Sequence, residues 1–284
     1  MRKLLMLVLA VMAIAGCSSK LAYNNLDWLV YWYIDDYIEF TDAQEQRFDQ
    51  KLGVWLTWHR GDELGRYVEH LKVVKQKVNQ PELTAAEIEL ELDRGRAHWE
   101  RLRDRLSPEI AALAPDLSEE QVIYLFAELE AENAEREEER EEKFGGKTPA
   151  EQVDMRAEEL SEEVEDLIGT LNDQQQAIIQ ATAPQLQSTY ELWMEYRRNI
   201  QNEARRLFAL RDQSSNFVAQ LTALMTNPDV YRSAEYVALS EQNRSHFVNM
   251  IAELHGTLTD KQKRKLNKQI DDIIEDLTDL MSDT

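Results

Sequence analysis

One cysteine, nine glycines and six prolines in 284 residues leave this chain little punctuation. A single Cys excludes an intramolecular disulfide. Stability must therefore come from a packed core, and the chain is long enough to build one unaided. Strand-like alternation is absent, and so is any apolar run near the roughly 20 residues that a membrane-spanning helix needs. Cations are scarce as well: 32 Lys and Arg face 54 Asp and Glu, a net charge of −22. Nucleic-acid affinity rests largely on Lys and Arg neutralising phosphate, which excludes nucleic acid as a partner class. The same charge excludes flat adsorption on an anionic bilayer. Catalytic signatures are missing too, with no G-x-S-x-G, P-loop, G-x-G-x-x-G or H-E-x-x-H in the chain. No catalytic residue, cofactor or metal site is expected. His59 and Glu63, four residues apart, are two potential ligands without a third at a recognisable spacing.

What is present begins at the N-terminus. Arg2 and Lys3 are followed by an apolar run from Leu4 to Ile14, by Ala15-Gly16, and then by the lone cysteine, Cys17. A charged start, a short apolar stretch and a small-residue cleavage point describe a secretory leader over residues 1–16. The coincidence with Cys17 resembles the lipobox of bacterial lipoproteins. That resemblance implies lipid attachment at Cys17 through a diacylglyceryl thioether, with a further chain such as palmitate on the new terminal amine. Stable anchoring takes more than one chain, which this arrangement supplies. Ser18 follows the anchor, where Asp would imply retention in the inner membrane. Within the lipoprotein class this implies an outer-membrane protein facing the periplasm. Residues 17–24 are read as a short tether and 25–284 as a helical domain.

The remaining chain repeats one pattern, apolar residues spaced four then three. It runs through Ile88, Leu92, Gly95, Trp99, Leu102 and Leu106, through Val153 to Leu171, and through Leu266 to Leu280. A 3.5-residue period keeps one stripe facing a partner helix, and stripes this short suit packed antiparallel helices. The fold class is all-α. Starts are marked by capping boxes at Thr41, Thr84, Ser118, Thr148 and Thr259, with a near variant at Asn172. Prolines 81, 108 and 115, Gly145-Gly146 and Asn227-Pro228 mark ends. The result is a bundle of about eight helices near 25–39, 42–80, 85–106, 119–143, 149–170, 173–212, 215–226 and 234–282. Pro184 should break the sixth, and the Gly256–Thr259 region the last.

Three segments stand out. Tyr23 to Phe40 is dense in aromatics, with Trp28 and Trp32 on one helical face. Close behind Cys17, it offers a candidate interaction surface made of Trp28, Trp32 and Tyr37; the competing reading buries it as core. Glu128 to Lys143 loses its apolar stripe after Leu129, which predicts an acidic helical hairpin near 119–170 projecting from the bundle. Lys261, Lys263, Arg264, Lys265 and Lys268 crowd a helix start, where the helix dipole disfavours cations. Pairing with an acidic face inside the molecule, or contact with lipopolysaccharide, would account for them.

The mature chain resembles an uncharacterised family of proteobacterial outer-membrane lipoproteins. Leu21-Ala22-Tyr23-Asn24-Asn25-Leu26-Asp27-Trp28, Asp35-Asp36-Tyr37, Trp58-His59-Arg60 with Tyr67, and Glu191-Leu192-Trp193 with Tyr196-Arg197-Arg198 carry the resemblance. Leu258-Thr259-Asp260-Lys261-Gln262 also resembles the Leu-Thr-x-x-Gln motif of periplasmic helical chaperones, and Leu117 to Gln121 approaches it. The expected function is therefore that of a membrane-anchored, non-enzymatic envelope binding protein, with an envelope protein or lipopolysaccharide as partner. A holdase-like chaperone is the alternative.

Overall fold

The computed structural model describes residues 17–282, and the leader over 1–16 lies outside them. Among the described residues every regular element is helical: α1 (Cys17–Asn24), α2 (Leu26–Ile34), α3 (Asp42–Trp58), α4 (Leu64–Val78), α5 (Ala85–Ala111), α6 (Glu119–Phe144), α7 (Pro149–Ile168), α8 (Asp173–Thr182), α9 (Tyr190–Ala209), α10 (Phe217–Thr226), α11 (Ala234–Gly256) and α12 (Asp260–Ser282). None of these is long and apolar enough to cross a membrane.

The expected caps form. Thr84, Ser118, Thr148 and Asn172 each accept from the amide three residues on, while the Gln or Glu there reaches back to the cap amide. Thr259 and Gln262 exchange the same bonds at 3.0 and 3.3 Å. Four boxes also meet in pairs. Gln44 and Gln121 bond each other reciprocally at 3.0 and 2.8 Å, as do Gln175 and Gln262 at 3.0 and 2.9 Å. Each of these amides also donates to the carbonyl two residues ahead of its partner's cap: Gln44 to Asp116, Gln121 to Glu39, Gln175 to Thr257 and Gln262 to Thr170. Residues far apart in sequence are thus fixed in register by identical contacts.

Two boundaries differ from the sequence reading. The presumed tether is helix α1, whose Lys20 forms ion pairs with Asp276 and Asp279 near the end of α12. Pro108 does not end α5, which runs on to Ala111. Both Pro108 and Asp104, whose carbonyl loses its partner, are exposed, so that carbonyl is open to solvent. Helices α3 and α4 form the single rod expected near 42–80, with a π turn at His59–Glu63 inside it. After α7, Gly169 takes φ +88, a left-handed conformation that side chains resist.

The core is divided. Phe126, Leu207, Phe208, Phe217 and Leu221 anchor one cluster between α6, α9 and α10, and Leu160, Ile179, Met250 and Leu254 another between α7, α8 and α11. Tyr23, Leu64 and Leu280 join α1 to α4 and α12, while Phe48, Leu52 and Trp55 of α3 receive α2. The stripe predicted for α5 is buried only at its ends: Ile88 is in the core and Leu106 packs on the Phe48–Trp55 cluster, while Leu92 and Trp99 are exposed. The face turned to α4 carries Glu91, His98 and Arg101 instead.

Candidate functional site

Helices α1 and α2 form an N-terminal arm that two polar clusters clamp to the body. Tyr23, six residues after Cys17, is only 3% exposed. Its ring stacks on His59 with centroids 5.8 Å apart, and its hydroxyl lies 2.9 Å from His59 Nδ1. The Arg60 guanidinium covers the Tyr23 ring at 5.3 Å and donates to Asn24 Oδ1 at 3.0 Å. His59 Nε2 meets the Tyr67 hydroxyl at 3.3 Å. A neutral imidazole offers one donor and one acceptor, and the two phenols satisfy both. Burial lowers the His59 pKa, which keeps the ring neutral.

The π turn explains how this cluster is built. The extra residue in the rod rotates Glu63 inward to 2% exposure. There Arg101 Nε reaches both carboxylate oxygens at 3.2 Å, and Arg101 Nη2 donates to Oε2 at 3.1 Å. Arg66 adds an ion pair at 3.3 Å. The same Arg101 Nη2 donates to His98 Nδ1. With Nδ1 accepting, the proton of neutral His98 sits on Nε2, which donates to His70 Nδ1 at 3.0 Å. His70 Nε2 then donates to Glu91 at 3.1 Å, and Glu91 pairs with Lys77 at 3.0 Å. The chain of bonds therefore runs one way, from Arg101 to Glu91. Burial, followed by the charge of Arg101 and by His70, pushes the His98 pKa down to about 4. His59 and Glu63, considered from the sequence as a metal pair, are each committed to other partners. Among the described residues no group of three or more His, Cys, Asp or Glu is arranged to hold a metal ion.

The second clamp lies beyond α2. Tyr33 and Tyr37 pack at 5.3 Å, and the Tyr37 hydroxyl donates to Glu132 Oε2 at 3.1 Å. Glu132 is held by Arg136 and Arg197. Burial opposes its charge, but the two guanidiniums outweigh that and hold its carboxyl down at about 2. Arg197 Nε donates to the fully buried Asn133 at 2.6 Å, and Asn133 donates to Gln201 at 2.7 Å. Trp193 lies under both Arg136 and Arg197.

The three residues named as a candidate surface are thus divided. Trp28 is 61% and Trp32 52% exposed, one turn apart on α2. Tyr37 is only partly exposed, and its hydroxyl donates to Glu132. Between these extremes Tyr31 turns inward, donating to Asp49 at 2.6 Å and packing edge-on against Phe48 at 5.6 Å. The aromatic segment is therefore neither wholly core nor wholly surface.

The acidic stretch of α6 also differs from expectation. Loss of its apolar stripe does not leave it without a packed face, because polar residues continue the contact with α9. Tyr190 donates to the Arg136 carbonyl at 2.8 Å, Arg140 stacks on Phe144 and donates to Ser188, and Lys143 pairs with Glu159. Of the cations opening α12, Lys265 reaches the Glu165 carbonyl and Lys268 pairs with Asp272. Lys261 and Arg264 stand exposed, so an acidic face accounts for only part of the cluster.

A family model matches residues 36–237, from the turn before Tyr37 to the first turn of α11. The chain belongs to a family of unknown function, DUF6279. The match takes in His59, Glu63, Glu132 and Arg197 and begins after Trp28 and Trp32. No curated protein and no solved structure matches the chain. His59 and Arg197 stand out in the sequence, and Glu132 and Arg136 pair at the i,i+4 spacing that the sequence offers. The bonds of Glu132, Asn133, His98 and Arg101 to other helices leave no periodic signal.

Proposed function

We propose that this protein is a lipid-anchored, non-enzymatic binding protein of the bacterial envelope, attached to the outer membrane through acylated Cys17 with its helical body in the periplasm. The leader pattern and the unique Cys support the anchor. One structural observation carries the reading further: Tyr23 is buried against His59 only six residues past Cys17. An acyl group at Cys17 would therefore hold the whole body at the bilayer instead of letting it drift on a tether. The buried histidines and carboxylates are bonded to one another across helices, which supports an architectural role for them. The partner is an envelope protein or a polyanion such as lipopolysaccharide, and exposed Lys261 and Arg264 offer the latter a binding patch.

Metabolic labelling with a clickable palmitate tests the anchor. Native protein should carry label and fractionate with outer membranes, while Cys17→Ser should lose both. Ser18→Asp should move labelled protein to the inner membrane. Label on the Cys17→Ser protein, or unchanged fractionation of both variants, would refute the reading.

A further inference from the structure

The arm of α1 and α2 holds two large indoles in solvent. Tyr31 and Ile34 of the same helix already fill the α3 surface, so Trp28 and Trp32 have no place left in the core. Their position relative to Cys17 is narrow. α1 starts at Cys17 itself and α2 follows after one residue, so Trp28 lies within about 17 Å of residue 17 at 1.5 Å per residue. The arm has no slack to swing, because Tyr23, Lys20 and Tyr37 each tie it to a different helix. Trp32, four residues further on, lies within about 23 Å, so an arm lying along the bilayer that holds residue 17 brings both indoles into its headgroup layer.

Trp is the residue type suited to that layer, since its body is apolar and its N–H seeks a polar partner. The charges around the ridge select among lipids. Asp27, Asp35 and Asp36 are exposed on or beside α2, whereas Lys20 is paired with Asp279 and Arg60 is occupied over Tyr23. Polybasic segments are what attract anionic headgroups, and this arm presents the opposite sign.

We infer that the Trp28–Trp32 ridge is a lipid contact, with both indoles lodged in the headgroup layer of the leaflet that holds the Cys17 acyl chains, and with a preference for zwitterionic over anionic lipid. The inference rests on the lipid-anchor reading. It adds a second, non-covalent contact that fixes which side of the body faces the membrane.

Full-length protein purified from membranes and reconstituted into zwitterionic vesicles, brominated near the top of one acyl chain, provides the test. Intact mass first establishes whether Cys17 is acylated. Bromine quenches indoles at the interface, and the chain has six tryptophans, so variants assign the signal. The native protein should be quenched, and Trp28→Phe/Trp32→Phe should lose most of that quenching with unchanged helical circular dichroism. Trp99→Phe, which removes an exposed indole on α5, should keep it. Adding anionic lipid at low salt should weaken quenching. Equal quenching of native and double-variant protein with acylated Cys17 overturns the lipid contact alone. Stronger quenching on anionic lipid overturns the headgroup preference. An unacylated Cys17 overturns the anchor and the contact together.

Discussion

Tyr23 and His59 are stacked and share a 2.9 Å hydrogen bond, which fastens the first helix to the middle of a rod that starts nineteen residues later at Asp42. Removing the hydroxyl leaves a buried imidazole nitrogen without its partner. Tyr23→Phe should cost about 1 kcal/mol, concentrated in the arm and not in the body. Hydrogen exchange checks this: amides of residues 17–34 should lose protection while those of α9 do not. Uniform loss throughout the chain would mean that the bond serves global stability.

The His98 imidazole responds to pH in a defined direction. Unfolded, it takes up a proton near 6.5; folded, it resists until about 4. The unfolded chain therefore binds more protons between these values, so this group's contribution is complete above pH 6.5 and is lost as pH falls towards 4. Gln in its place can still accept from Arg101 and donate to His70 without titrating. Urea midpoints should fall less between pH 7 and pH 5 for His98→Gln than for native protein. Parallel profiles would remove His98 from the pH response.

Glu132 responds in the same direction, but at lower pH. Its carboxyl is held near 2, so the stability it lends is present above about 4.5 and lost only in stronger acid. Arg197→Met strips one of its two cations inside a buried cluster. The loss should be about 3 kcal/mol, the lower end for breaking a buried pair, because Arg136 remains. Chemical denaturation should show this, with the Glu132 pKa, followed by NMR, moving upward. A neutral substitution would make Arg136 alone sufficient.

Gln262 closes a box and meets Gln175 in the interior. Gln262→Leu removes the return bond to Thr259 and leaves the Gln175 amide short of a partner, for roughly 2 kcal/mol. Thermal melts should show the drop. Thr148→Ala, at a cap that meets no other cap, should cost only about 1 kcal/mol.

Helix positions were readable because caps are local: the hydroxyl, the amide and the returning Gln or Glu sit within four residues. Burial was less so. The α5 stripe obeys the heptad spacing, yet its middle, Leu92 and Trp99, faces solvent, because there α5 turns its polar Glu91–His98–Arg101 edge towards α4. A polar interface sends no periodic signal. Trp28 and Tyr37 illustrate the same limit: both are aromatic and nine residues apart, and only distant Glu132 decides that one is tied inward.

The boxes themselves contain a spelling rule. At Thr84 and Thr148, which stand alone, the returning residue is a glutamate, Glu87 or Glu151. At the four that meet in pairs it is a glutamine: Gln44 with Gln121, and Gln175 with Gln262. A carboxylate only accepts, so two would repel where an amide can give and receive at once. Swapping one letter, Gln to Glu, would keep each helix capped and yet remove one of the two reciprocal bonds that join it to its partner. Local grammar and long-range address are thus written in the same position.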